Sequence, residues 1–291
     1  MTTVIQKLAQ SQGRPVFICD FSPPRGADLS AIAQVREAGA DFVCVAYSPG
    51  KSVRVDSTVM AYLIAQHGQE VIFNLACRDM NRLAVQNHLL GAQALGLENV
   101  VVLQGDGLTE KERASFKEVN DYHPSALIQD IARLNHGDDF RGLKLRAPTA
   151  FCAGAVMDFG KGVEQEARTA HAKVQAGADF FLAQTFYDVA LAKRFHEAYR
   201  QQAGQPFPKP IFYGLPVPAK DGLLFGDVPA KVREDMDKGR SGADIAQEQL
   251  GEFLAAGLRT IYLVPPILRS GRRDYGAARD VLAAARTQLL R

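Results

Sequence analysis

The sequence contains no tryptophan and only four cysteines, none in a C-x-x-C spacing. The missing tryptophan carries no functional message. So few cysteines in a chain of 291 residues argue against the disulfide framework of small secreted domains. Cys19, Cys44, Cys77 and Cys152 all fall in apolar, strand-like runs, where free cysteine is usually a buried core residue. Long apolar runs are lacking too. No stretch approaches membrane-spanning length, and the opening MTTVIQKLAQSQGRPVF has neither the apolar centre nor the cleavage site of a secretory leader. The expected location is therefore the cytoplasm, with no membrane partner. Charge of one sign is missing as well: 34 Lys and Arg face 32 Asp and Glu, a net charge of +2. The basic residues are scattered and aromatics do not interleave with them, so nucleic acid is not an expected partner. No Ser-His-Asp arrangement or metal-ligand spacing stands out, and no metal is expected. Of the six histidines, His67, His88, His171 and His196 fall on helical segments as packing or surface residues.

What is present is a repeating alternation of short apolar strands and amphipathic helices. Strands are expected at 16–21, 42–47, 70–76, 99–104, 149–155, 179–185, 210–215 and 260–265. Most are near-continuous runs of Val, Ile, Leu and Phe, the mark of parallel strands covered on both faces. Between and after them, helical spacing predicts Leu29 to Ala38, Ser57 to Gln66, Met80 to Leu95, Ser125 to Leu134, Glu164 to Ala176, Val189 to Gln202, Gly242 to Ala256 and Tyr275 to Leu290. Four of these end at Gly39, Gly96, Gly177 or Gly257, where glycine supplies the left-handed residue past a helix. Eight β-α units predict one (β/α)8 TIM barrel over residues 1–291, an α/β fold. The rival is an open doubly wound sheet, whose first β-α turn would carry a glycine fingerprint. Here that turn reads DFSPPRGADLS, with proline where glycine is needed. AVMDFGKG is not a phosphate loop either, since Ala155 and Gly162 occupy its glycine and hydroxyl positions. Residues 218–240 form one long Gly- and charge-rich insertion, a candidate lid after strand seven.

Barrel chemistry sits at the C-terminal ends of strands, which selects Asp20, Tyr47, Asn74, Asp106, Gln184 and the loops after the last two strands. Asp20 ends an apolar strand, so it is either paired, with Arg25 or a barrel-lining cation, or a working acid. Asp106 follows Gly105 and begins the turn dipeptide Asp106-Gly107, so taken alone it reads as a turn or N-cap residue. Gln184 is a polar residue in the apolar strand FFLAQTFYD. Its amide suits the edge of a heterocycle, or else is satisfied by neighbouring backbone. Arg269, Arg272 and Arg273 follow strand eight, as an anion site or as a solvated basic loop.

As an ordered set, these strand ends resemble the methylenetetrahydrofolate reductase family. The motif of an acid, aromatics and Pro-Pro-Arg stands here as Asp20-Phe21-Ser22-Pro23-Pro24-Arg25. Val45-Ala46-Tyr47, Leu75-Ala76-Cys77, Gln104-Gly105-Asp106, Gln184-Thr185-Phe186-Tyr187-Asp188 and Gly214-Leu215-Pro216-Val217 follow in the family's order. The resemblance implies reduction of 5,10-methylenetetrahydrofolate to 5-methyltetrahydrofolate by NAD(P)H, with hydride relayed through FAD; the reverse direction stays open. It implies Asp20 as proton donor, Asp106 beside flavin and pterin, and Gln184 on the pterin edge, with Phe186 and Arg269 also contacting the folate. Tyr47, Asn74, Gln104, Gly105, Asp106 and Lys173 would hold the cofactor. The departures are Asp20 for the family's Glu, and Ala46, Asn74, Gln104, Ala153 and Met157 where Thr, His, Arg, Tyr and His are usual. They leave two alternatives: direct hydride transfer from nicotinamide to folate without flavin, or a non-redox folate-binding protein. Association of identical subunits is left open.

Overall fold

A computed structural model describes residues 1–269 and 271–289. Eight parallel strands close into a barrel in chain order: β1 (Val16–Phe21), β2 (Phe42–Val45), β3 (Val71–Ala76), β4 (Asn99–Leu103), β5 (Cys152–Met157), β6 (Phe180–Thr185), β7 (Ile211–Pro216) and β9 (Thr260–Val264). Two further two-residue strands, β8 (Gly222–Leu223) and β10 (Ile267–Leu268), pair antiparallel outside the barrel. The barrel strands fall where the apolar runs place them, except that β5 begins and ends later than expected. Leu290, the expected end of the last helix, lies outside the described residues.

The helices are α1 (Val4–Gln10), α2 (Ala31–Ala38), α3 (Ser57–Ala65), α4 (Arg82–Ala94), α5 (Glu110–Arg113), α6 (Pro124–Asn135), α7 (Val163–Gln175), α8 (Ala190–Ala203), α9 (Ala230–Asp237), α10 (Gly242–Ala255) and α11 (Tyr275–Leu289). Gly39, Gly96, Gly177 and Gly257 all have positive φ, as helix ends of this kind require. None of the described helices is long and apolar enough to cross a membrane.

Strand alternation divides the core in two. One set of side chains, including Val16, Ile18, Phe42, Cys44, Ile72, Val101, Phe180, Leu182 and Phe212, fills the barrel. The alternate set, including Phe17, Cys19, Phe73, Val102, Ala153, Met157 and Phe181, packs against the surrounding helices. All four cysteines are buried thiols within these layers. The N-terminal mouth is closed by α1, whose Val4 joins the interior set and donates its backbone N–H to Asn99 Oδ1 at 2.9 Å. The sequence reading missed α1, although Thr3 and Gln6 form a capping box at its start.

The 218–240 insertion is folded. Its β8 is tied to the segment after β9, and Val232 and Met236 of α9 pack with Tyr187 and Ile245 in a small apolar cluster.

Candidate functional site

At the C-terminal mouth the strand ends surround a cavity of about 240 Å³. Six of the expected residues line it: Tyr47, Asn74, Gln104, Gly105, Asp106 and Gln184. Arg78, Lys161 and Tyr262 join them, and none of these three was selected from the sequence.

Gln184 owes its position to an irregularity between β6 and β7. Leu182 pairs with Phe212 and Thr185 with Gly214, so β6 carries one more residue than its partner over this stretch. Such a bulge re-aims a side chain and is common beside functional sites. Gly214 permits it: a Cβ there would lie 2.5 Å from the Gln184 carbonyl carbon. Gln184 is exposed and its side chain makes no hydrogen bond among the described residues, so it is not a core amide satisfied by backbone.

The loop after β4 is held from β3. Arg78 is buried, clamps Asp79 through two hydrogen bonds of 2.6 and 2.7 Å, and donates to the Asp106 carbonyl at 2.8 Å. Gly105 sits at φ 88°, and a Cβ there would meet Arg78 Cβ at 3.0 Å. With its carbonyl fixed, Asp106 keeps its carboxylate exposed at the cavity. Asn74 is buried on the inner face of β3, where Cys44 Sγ donates to its Oδ1 at 3.2 Å. Burial raises the Cys44 thiol well above its ordinary value, with the Asp20 charge adding to the effect. Burial and then the Asp79 carboxylate raise the Tyr47 hydroxyl. Ser48, next to Tyr47, has φ 38°, an uncommon conformation for a residue with a side chain.

Asp20 lies behind this lining. Its Oδ1 accepts from Tyr262 Oη at 2.6 Å, and its Oδ2 pairs with Arg273 Nη2. Both charged side chains are over 90% buried, at 5% and 7% exposure. The sequence left Asp20 either catalytic or ion-paired, with Arg25 or a barrel-lining Lys or Arg; the partner is Arg273 of the last loop, whose Nε also donates to Ser22 Oγ at 2.9 Å. Burial, and then the Asp20 charge, raises the Tyr262 hydroxyl well above its usual range. Tyr262 is therefore the surface the cavity presents, and Asp20 is reached through it.

Three expected residues are not brought to the cavity. Lys173 is buried on α7, donates to the Val156 carbonyl at 2.6 Å and pairs with Glu166 at 3.6 Å. Phe186 is buried among Phe159, Tyr213 and Phe253 in the layer between barrel and helices. Arg269 is exposed and lines no part of the cavity; Arg273 is the arginine of that run that turns inward. Ala153 and Met157 also face the helices, and Val156 is the β5 side chain at the cavity. The comparison of Ala153 and Met157 with ligand-facing Tyr and His therefore fails. Phase is the reason: shifting a strand by one residue exchanges its two faces. Tyr262, at an inward position of TIYLV, and the Arg78-Asp79 pair directly after a strand could have been found by the strand-end rule. Arg273 could not, because its place depends on how the last loop folds back.

Comparison with known proteins adds a family to this geometry. The family model described as methylenetetrahydrofolate reductase matches residues 4–221. A probable methylenetetrahydrofolate reductase (NADH) of Oryza sativa subsp. japonica is 26% identical over 294 residues, covering 89% of this chain and 48% of its own. A probable methylenetetrahydrofolate reductase (NADPH) of Caenorhabditis elegans is 23% identical over 195 residues, covering 62% of this chain and 27% of its own. The matches thus span about half or less of these relatives' length. An uncharacterised protein from Clostridium thermocellum, described as binding two copies of 5-methyl-5,6,7,8-tetrahydrofolic acid, shares the fold with a TM-score of 0.65 and 14% identity. That match covers 98% of this chain and 99% of the other. With three quarters of its length inside the family model and its motifs gathered at one barrel mouth, this chain belongs to the methylenetetrahydrofolate reductase family.

Proposed function

We propose that this chain transfers hydride between a nicotinamide dinucleotide and the one-carbon unit of a tetrahydrofolate, interconverting the 5,10-methylene and 5-methyl forms. The observation that carries the reading is the cavity itself: an unengaged Gln184 amide and the Asp106 carboxylate face one small space at the barrel mouth. A pterin edge alternates donors and acceptors, and an amide with two of each answers it. The Clostridium thermocellum protein's ligand, a methylated tetrahydrofolate, supports the same substrate class.

FAD is the cofactor the family resemblance implies, and the residues present fit it poorly. Lys173, the expected cation, is spent on Val156 and Glu166, and Arg78 is spent on Asp79 and Asp106. Lys161 is the remaining cation of the cavity lining. No step is therefore routed through flavin.

In the reducing direction, an acid protonates a nitrogen of the five-membered ring and its C–N bond opens to an iminium. Hydride from the dihydronicotinamide then adds to the methylene carbon, giving the methyl group and oxidised nicotinamide. Gln184 and Asp106 hold the pterin, and Asp20 is the acid. As an ion-paired carboxylate Asp20 only accepts hydrogen bonds, so it acts after taking up a proton and parting from Tyr262 and Arg273.

The test is anaerobic turnover. The protein is incubated with excess FAD, freed of unbound cofactor, and its visible spectrum recorded; nicotinamide oxidation is then followed with 5,10-methylenetetrahydrofolate and no added flavin. A colourless protein that turns over is expected. Retention of one flavin per chain with strictly FAD-dependent turnover would overturn direct transfer. Tight methylfolate binding without turnover under either condition would leave a non-redox folate-binding protein.

A further inference from the structure

A second, wider groove opens beside the cavity at the same end of the barrel. It lies between the segment after β1 and the entry to α11, with a volume of about 750 Å³. The two spaces share a thin wall: Tyr262 lines the cavity, Arg273 lines the groove, and both hold Asp20. Five guanidinium groups line the groove, from Arg25, Arg54, Arg272, Arg273 and Arg279, against three carboxylates, Asp28, Glu37 and Asp274. Two of those carboxylates are committed to backbone: Asp28 accepts from Ser30 N at 2.9 Å and Asp274 from Ala277 N at 3.1 Å.

Arg273 pairs with Asp20 and Arg279 with Asp280, so the half-buried charge that lacks a carboxylate partner here, among the described residues, is that of Arg54. Arg54 is half-buried and, among the described residues, bonds only neutral oxygens: Pro23 O at 2.7 Å, Pro49 O at 3.2 Å and Ser52 Oγ at 3.1 Å. Burial, followed by the like charges of Arg25 and Arg273, pushes its guanidinium below the ordinary value. Arg273 Nη1 is buried with no hydrogen-bond partner among the described residues. Crowded cations with a spare buried donor cost free energy that an anion would offset. The starts of α2 and α11, at Ala31 and Tyr275, also border the groove. Barrels frequently seat a phosphate after their last strands, against a helix N-terminus.

We infer that this groove binds a ligand carrying a diphosphate, and that the bound anion draws Arg273 away from Asp20. Phosphate oxygens bind a guanidinium through two parallel bonds, in direct competition with the single Asp20 oxygen that Arg273 holds. Once Arg273 turns to the phosphate, Asp20 keeps only the Tyr262 hydroxyl and is freed from its ion pair to turn toward the cavity. A dinucleotide seated in the groove thereby readies the acid at the cavity. The link to Asp20 rests on the acid role proposed above; the anion site stands without it.

The experiment reads binding rather than activity, so a failed oxidoreductase assay leaves it intact. Inorganic pyrophosphate is titrated calorimetrically into the full chain, into Arg54→Gln, into the exposed-site variant Arg25→Gln, and into Gln184→Ala, with tri-γ-glutamate as a second probe. One pyrophosphate per chain is expected, weakened about 10-fold by Arg54→Gln and measurably by Arg25→Gln, and unaffected by Gln184→Ala. Absence of saturable binding, indifference to both arginine changes, or a preference for tri-γ-glutamate overturns the diphosphate assignment. For the link, the carboxyl carbon of Asp20, assigned by its loss in Asp20→Asn, is followed by NMR. A shift at saturating pyrophosphate is expected, and an unmoved signal overturns the coupling.

Discussion

Replacing Asp20 by Asn should cost more stability than its single altered atom suggests. Asp20 and Arg273 are 5% and 7% exposed, so the pair belongs with buried rather than surface ion pairs. The substituted amide would keep an oxygen for Tyr262 but leave the Arg273 guanidinium buried without a counter-charge, a change that typically costs about 3–5 kcal/mol. At roughly 2 °C per kcal/mol for a chain of this size, the melting temperature should fall by about 6–10 °C. Arg273→Met should cost a similar amount by stranding the carboxylate. If the two groups pair in solution, the double variant should be more stable than the sum of the single losses predicts, by about 2 kcal/mol. Urea unfolding followed by circular dichroism measures all four corners of the cycle. Losses that add to within about 0.5 kcal/mol would refute the pair. The exposed Arg279–Asp280 contact, with side chains 54% and 58% exposed, serves as control and should couple by less than about 1 kcal/mol. Turnover of Asp20→Asn is then informative only at temperatures below its lowered transition.

Gln184→Ala should weaken methylfolate binding by about 10–100-fold with little change in melting, since the side chain is exposed and unbonded. Gly214→Ala should reduce both binding and stability, because its Cβ would press on the Gln184 backbone; unimpaired methylfolate affinity would show that the bulge does not position the amide. Lys173→Met should lower stability by removing the bond to Val156 and stranding Glu166, without altering ligand affinity; lost affinity at unchanged melting would return Lys173 to a ligand-facing role. At Glu112, hydrogen bonds from Lys51 and Thr109 depress the carboxyl from 4.5 to about 2. Its folded value lies below the ordinary one, so its contribution to stability is complete above pH ~5 and is lost as pH falls toward 2. A carboxyl-detected NMR titration should place its midpoint near 2 in the wild type and higher in Lys51→Met.

The order and approximate limits of the eight barrel strands were legible in the chain because a buried parallel strand must be apolar throughout and its helix must end where the chain can turn. The strand-end rule likewise found Tyr47, Asn74, Asp106 and Gln184 of the cavity lining, since it depends only on where a strand stops; Gln104 and Gly105 came from the family resemblance. Other features were decided by closure of the barrel. Alternation says that Phe186 and Gln184 share a face in a regular strand, yet the bulge at β6 and the end of pairing send one into the core and the other to the cavity. The resemblance implies Lys173 as a cofactor contact, but α7 packs on β5 and gives it the Val156 carbonyl instead. Asp20 needed a partner by the cost of burying charge, but composition could not choose among the arginines. Only the return of the last loop over β1 brings Arg273, rather than Arg25 or Arg269, against it.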